Sequence, residues 1–342
     1  MVWGNLGNAM ETLEKILLPL DGSVLADCVL PHTVAIAQAA EAKVLFLHVL
    51  EADTDHPPNP LDWQLRKVEA QTYLQEVEAN WQQMGIPSES VLLEGKAADR
   101  IIEYAQEAGV DLVVLSSHGQ SGLTGWNVSS VGQKIIHRVH KSIMLVRAYQ
   151  MESEIERVKY DRILVPLDGS PRAESVLPVA GRLAQYHEAT LLLAHVVTPP
   201  EMMRRIPLAT DDIRLVEEMV ARNQEKARHY FDELKNRLPV EVETHLICDE
   251  DVTTALHDLV KKAEVDLVIL NAHGDAAGAH RPYGSIVSNF IDYGATPLLI
   301  FQDLSPAEIE LTEAEVAVQE TSKGTRPPTG PLQSRTLVPT LA

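Results

Sequence analysis

Asp21-Gly22-Ser23 follows the apolar run Ile16-Leu17-Leu18-Pro19-Leu20, and Asp168-Gly169-Ser170 follows Ile163-Leu164-Val165-Pro166-Leu167. Glycine permits a tight turn after a strand. Ser23 and Ser170 are good helix N-caps, and Pro171 suits a first helical position. An aspartate at such a turn can accept hydrogen bonds from sugar hydroxyls or help hold a metal ion; Asp-Gly-Ser also serves as a plain strand-to-helix turn. A second pair of stretches has other chemistry. Ser116-Ser117-His118-Gly119 is followed, after nine residues, by Ser129-Ser130-Val131; Asn271-Ala272-His273-Gly274 is followed, after nine residues, by Gly284-Ser285-Ile286. Small residues opening a helix present backbone N–H groups that cradle phosphate without a lysine. Ser130 and Ser285 add a hydroxyl donor. His118 and His273, each before a loop glycine, read as hydrogen-bonded positioning residues rather than catalytic ones. His48 and His195 end strands and read as partly buried residues, not ligands. Trp126 and Tyr283, inside the nine-residue spacers, are expected in a lid or an interface.

These residues recur because the chain repeats itself. Pro19-Leu20-Asp21-Gly22-Ser23 returns 147 positions later as Pro166-Leu167-Asp168-Gly169-Ser170, and His48-Val49 returns as His195-Val196 at the same offset. Asp111-Leu112-Val113-Val114-Leu115 returns as Asp266-Leu267-Val268-Ile269-Leu270 at an offset of 155, so the second copy has gained eight residues in its middle. A period this long means two domains rather than a solenoid. Within each copy, short β-rich runs ("KILLPL", "KVLFLHVL", "DLVVLSS", "SIMLVRA" and their counterparts) alternate with helix-period segments at Ser23 to Glu41, about Leu61 to Met84, and Ala97 to Ala108. That alternation predicts an α/β fold with parallel strands covered on both faces. Pro31 and Pro178 break the helix pattern and predict a kink or a late helix start. The expected boundaries are 12–150 and 160–304, with a charged linker at 151–159. Residues 305–342, acidic and then rich in Pro, Thr, Ser and Gly, read as a disordered tail.

The totals limit the partners. The chain has 342 residues, 45% of them apolar, and a formal net charge of −20. That length suits about two domains, and the charge lacks the basic footprint of a nucleic-acid binder. Two cysteines, Cys28 and Cys248, fit a reducing, cytoplasmic setting better than a disulfide framework. No apolar run reaches the roughly 18–20 residues of a membrane span, and the first fifteen residues lack the pattern of a secretory signal.

On these motifs the chain resembles a tandem universal stress protein. The nucleotide-binding members carry Gly-x2-Gly-x9-Gly-(Ser/Thr) after the fourth strand and an early strand ending in Asp-Gly-Ser. The resemblance covers Lys15 to Val146 and Arg162 to Phe301 and implies two flavodoxin-like (Rossmann-like) domains. Each would be a five-stranded parallel sheet ordered 3-2-1-4-5 with helices on both faces. It assigns Pro19, Asp21 and Val49, with Ser116, Gly119, Ser129, Ser130 and Val131, to one nucleotide site. Pro166, Asp168, Val196, Asn271, Gly274, Gly284, Ser285 and Ile286 take the matching places in the other. Ser116, Ser129 and Asn271 stand where the pattern wants glycine. If the Gly284 position needs a positive φ or close phosphate approach, serine at 129 carries a cost. The second half is then the better site for ATP, accompanied by Mg²⁺.

The function expected is an ATP-binding stress-response regulator or binding module. The alternatives are a ligand-free interaction scaffold and a slow ATPase or phosphotransferase. Phosphoryl transfer needs metal ligands and a positioned base, and the residues offer one Asp per site, no second convergent carboxylate and no GxxxxGK[ST] loop. A Rossmann dehydrogenase is disfavoured, since neither GxGxxG nor an acidic end to the second strand is present. The closing strands, Ser142 to Arg147 and Thr296 to Phe301, are apolar edges expected to pair across a pseudo-twofold axis. The two domains would then form an intramolecular pseudo-dimer, with a homodimer as a further arrangement.

Overall fold

The computed structural model describes residues 13–52, 59–119, 128–148, 158–200, 210–274 and 282–304. Trp126, residues 151–157 of the expected linker and the expected tail from 305 onward lie outside the described residues.

The near-continuous apolar runs form strands because both faces of the sheet are covered. In β1 (Lys15–Pro19), Ile16 and Leu18 enter one core layer and Leu17 the other, all three fully buried. β2 (Lys43–Leu50), β4 (Leu112–Ser116) and β5 (Ser142–Val146) follow the same rule, as do β6 (Arg162–Pro166), β7 (Thr190–Val197), β9 (Leu267–Asn271) and β10 (Leu298–Phe301). Each fully buried aliphatic side chain contributes about 1.5–3 kcal/mol. β3 (Ser88–Glu94) and β8 (Val242–Cys248) escape the apolar pattern of the sequence. They are the outermost strands and only partly covered, so their composition is mixed.

Each half has the order 3-2-1-4-5 with parallel pairing, as expected. The halves share one ten-stranded sheet, joined where β10 pairs antiparallel with β5: Leu298 opposite Leu145, Leu299 opposite Met144, Ile300 opposite Ile143. Both core layers run through this junction and draw residues from both halves.

The prolines act as late helix starts. The segment after the first turn divides into α1 (Val24–Asp27) and α2 (Val29–Ala40), with Pro31 in the first turn of α2. Its counterpart divides into α6 (Pro171–Glu174) and α7 (Leu177–His187), with Pro178 in the first turn of α7. A proline costs little there because the first N–H groups of a helix have no intrahelical partner. The long α3 (Pro60–Gln83) and α8 (Thr210–Arg237) precede β3 and β8. α4 (Ala97–Glu107) and α9 (Val252–Lys262) precede β4 and β9; α5 (Ser130–Arg138) and α10 (Ser285–Tyr293) precede the closing strands. None of the described helices is long and apolar enough to cross a membrane.

Candidate functional site: the clefts at the carboxyl ends of the strands

Each first strand ends in a turn that only glycine makes without strain. Gly22 has φ +75° and Gly169 φ +84°. The turn aims the aspartate back on itself. Asp21 Oδ1 accepts from Ser23 N at 2.9 Å. Asp168 Oδ1 accepts from Ser170 N at 2.9 Å and from Ser170 Oγ at 2.6 Å. The serine hydroxyls then cap the short helices, accepting from Ala26 N and Ala173 N at 3.1 Å each. Each aspartate also reaches the loop after the fourth strand of its half. A Cβ on Gly119 would fall 2.2 Å from Asp21 Oδ2, and one on Gly274 would fall 2.2 Å from Asp168 Oδ2.

The loops after β4 and β9 are fastened by the residues that stand in place of glycine. Ser116 Oγ donates to His118 O at 2.5 Å or to Leu25 O at 2.9 Å, and Asn271 Nδ2 donates to His273 O at 3.0 Å. Ser117 Oγ lies 3.1 Å from His118 Nδ1 and accepts from Ala148 N at 3.0 Å. His273 Nδ1 meets Asp303 Oδ1 at 2.7 Å, and Arg172 Nε lies 2.9 Å from the other oxygen of Asp303. Both histidines are buried and hold loop atoms.

The expected strain at Ser129 is overturned. Gly284 has φ −69° and ψ 168°, and Ser129 has φ −62° and ψ 158°, so both are ordinary extended N-caps. Serine costs no strain in this conformation. What differs is the cap. Ser129 Oγ accepts from Gly132 N at 3.1 Å, whereas Gly284, the N-cap of α10, has no side chain to do the same.

In the first half these elements enclose a cleft of about 710 Å³. Pro19, Asp21, Val49, Ser116, Gly119, Ser129, Ser130 and Val131 all line it. Pro166, Asp168, Val196, Asn271, Gly274, Gly284, Ser285 and Ile286 hold the corresponding places at the ends of β6, β7 and β9 and the start of α10. His48, read from the sequence as a partly buried strand end, also lines the first cleft, and burial pushes its imidazole below the usual value. Sequence reasoning missed Arg66, Glu69 and Tyr73, which α3 adds to the wall. The mixed composition of that helix gives no signal of which face meets the cleft.

The reading of a single carboxylate per site is corrected. Tyr73 Oη donates to Asp27 Oδ1 at 2.5 Å, close enough to Asp21 for the two charges to interact. Burial raises the Asp27 carboxyl, the tyrosine bond opposes that, and the Asp21 charge adds to it. In the second half Tyr230 lies close enough to Glu174 and Asp168 to feel both charges, and Arg237 Nη1 is 3.4 Å from Glu174. Asp27 is held by Tyr73 and Glu174 by Arg237, neither left open as a base, whereas Glu51 and Glu69 line the first cleft with Asp21. Among the described residues, no group of three or more His, Cys, Asp or Glu side chains converges to hold a metal ion. Cys28, whose thiol burial pushes up, is a packed side chain beside Ser116.

Comparison with known proteins gives one consistent result. The sequence profile of the universal stress protein family matches residues 12–147 and again residues 159–302. A universal stress protein of Mycobacterium tuberculosis is 22% identical over 302 residues, covering 83% of this chain and 96% of that one. A shorter one, MJ0531 of Methanocaldococcus jannaschii, is 27% identical over 150 residues, covering 42% of this chain and 88% of its own. Among solved structures, a universal stress protein of Archaeoglobus fulgidus superposes with a TM-score of 0.58 at 18% identity, covering 84% of this chain and 98% of that chain. A putative one from Pseudomonas aeruginosa gives 0.62 at 14%, covering 86% and 95%. At such identities the structural likeness speaks to the fold alone.

Proposed function

Because the chain belongs to the universal stress protein family and carries two copies of its domain, we propose that each half binds an adenine nucleotide in the cleft at its strand ends. The units are residues 12–150 and 160–304. The observation that carries this reading is the seating of Asp21 against Gly119, and of Asp168 against Gly274. It sets a hydrogen-bond acceptor beside a small-residue loop and a helix N-terminus. A ribose hydroxyl suits the aspartate, and phosphate oxygens suit the N–H groups and the Ser130 and Ser285 hydroxyls. Pro19 with Val49, and Pro166 with Val196, supply apolar wall for the base. The expected ligand is ATP with Mg²⁺.

The second half is the tighter site in this reading, for a reason other than strain. Gly284, as the N-cap, offers no side chain of its own to the first-turn N–H groups of α10, so a phosphate can take them. In α5 the Ser129 hydroxyl already holds Gly132 N.

The chain acts in the cytoplasm as a stress-response regulator that changes shape or partners on binding, its halves forming a pseudo-dimer. Slow hydrolysis is the second reading, favoured by Glu69, a carboxylate that lines the first cleft together with Asp21. Mass spectrometry of the ligand released from purified protein, followed by calorimetric titration with ATP and Mg²⁺, tests the proposal. Adenine nucleotide at one or two per chain is the expected result. A protein that releases none and titrates with none overturns it. ADP accumulating from bound ATP would favour the second reading.

A further inference from the structure

The two halves do more than share a sheet edge. α5 presents its N-terminus to the first cleft, α10 holds the corresponding place in the second half, and the far end of each helix is held by a residue of the other half. Arg147 follows β5 of the first half and is 1% exposed. Its Nη2 donates to Phe290 O at 3.0 Å and Ile291 O at 2.7 Å, carbonyls in the last turn of α10. Tyr283 stands one residue before Gly284 in the second half and is 4% exposed. Its Oη donates to Ile136 O at 2.9 Å, in the last turns of α5.

The links are not copies of each other. At the repeat-equivalent places stand Gln302, which bonds Pro282 O through its side chain, and Val128, which has no polar atom to offer. Each anchor also sits beside the site loop of its own half. Arg147 is next to Ala148, whose N–H donates to Ser117 Oγ in the loop after β4. Tyr283 is next to Gly284, whose N–H donates to Ala272 O in the loop after β9.

We propose that Arg147 and Tyr283 are positioning residues that act across the junction: Arg147 of the first half sets the phosphate helix of the second site, and Tyr283 of the second half sets that of the first. The inference rests on the nucleotide reading given above. A nine-residue helix is about 13 Å long and rigid on that scale, so a hold on its last carbonyls fixes where its first N–H groups point. Preorganised donors bind an anion more tightly because less ordering is left to the moment of binding. The Arg147 charge also lies at the end of α10 where the helix dipole favours a cation, while the other end favours the anion. Neither site is fully built by its own half, and occupation of one cleft is felt at the helix serving the other.

The test uses the full chain. Asp21→Ala leaves only the second site to titrate with ATP and Mg²⁺, and Asp168→Ala leaves only the first. In the Asp21→Ala chain, Arg147→Met should weaken binding about three- to tenfold, the effect of losing one or two hydrogen bonds. Arg147→Lys, which keeps a donor and the charge, should recover part of it. In the Asp168→Ala chain, Tyr283→Phe, which removes one oxygen atom, should weaken the first site about threefold. Thermal unfolding of each variant is followed alongside. Variants that melt earlier while both sites keep the parent affinity would show a lock that is only structural and overturn the inference. Should Arg147→Met not fold, Arg147→Lys and Tyr283→Phe carry the same decision. A parent that binds at both sites, with neither variant affecting the opposite one, overturns this inference alone. A parent that binds no nucleotide overturns it together with the reading it rests on.

Discussion

The carboxylate of Asp168 lies against the Cα of Gly274 so closely that a Cβ there would fall 2.2 Å from Oδ2. Gly274→Ala must therefore turn the aspartate away. That breaks its bonds to Ser170 N and Ser170 Oγ. The expected cost is about 1–3 kcal/mol of stability, with loss of nucleotide binding in the second half. Gly119→Ala should do the same to the first half through Asp21. Denaturant unfolding and titration check both. An alanine variant as stable and as tight-binding as the parent would show that the contact yields freely.

Gly284→Ser should move affinity and stability in opposite directions. The backbone accepts serine, as Ser129 shows, and a new hydroxyl would cap α10. Stability should rise by a few tenths of a kcal/mol, roughly the advantage of serine over glycine at an N-cap. ATP affinity of the second site should fall about threefold to tenfold, because the hydroxyl competes for an N–H group the phosphate needs. Ser129→Gly should do the reverse in the first half. Calorimetric titration and thermal unfolding of the two variants decide it. A change of the same sign in both quantities would point to another cause.

Separating the halves should leave each one sticky. Ile143, Met144 and Leu145 are fully buried, as are Leu298, Leu299 and Ile300 to within 1%, and the two strands pair antiparallel. A lone half exposes that apolar edge. Light scattering of residues 1–150 at high concentration should find dimers or aggregates. Met144→Lys in the same piece should return it toward a monomer. A monomeric parent half would mean the edge is protected some other way.

Acid should weaken the fold through the junction between α2 and the start of β6. His32 Nδ1 lies 2.9 Å from Tyr160 Oη, and burial lowers its pKa from 6.5 to about 4. Between those values the unfolded chain takes up a proton that the folded chain refuses. Stability is then complete above pH 6.5 and lost as pH falls toward 4. His32→Phe removes this titration. Between pH 7 and pH 5 the parent should lose about 1–2 kcal/mol more than the variant, measured by urea unfolding at each pH. Equal losses would assign the acid sensitivity to other groups.

Much of this was legible in the chain itself. The duplication, the four apolar strands of each half and the Asp-Gly-Ser turns follow from local chemistry: two-sided burial needs unbroken apolar runs, and a positive φ needs glycine. The convergence of Asp21, Gly119 and Ser130 on one cleft was anticipated because parallel strands bring their carboxyl ends to one side. Tertiary structure decided the rest. β3 and β8 are edges, so partial cover left them no distinctive pattern. Ser129 is a cap rather than a strained residue, a fact set by its dihedral angles and its reach to Gly132. Arg147 and Tyr283 gain their roles only when β5 meets β10 antiparallel, which carries the loops of one half to the helix ends of the other. Those partners are about 145 residues away in the chain, and a hydrogen bond across such a separation depends on how the two halves face each other, which no local pattern encodes.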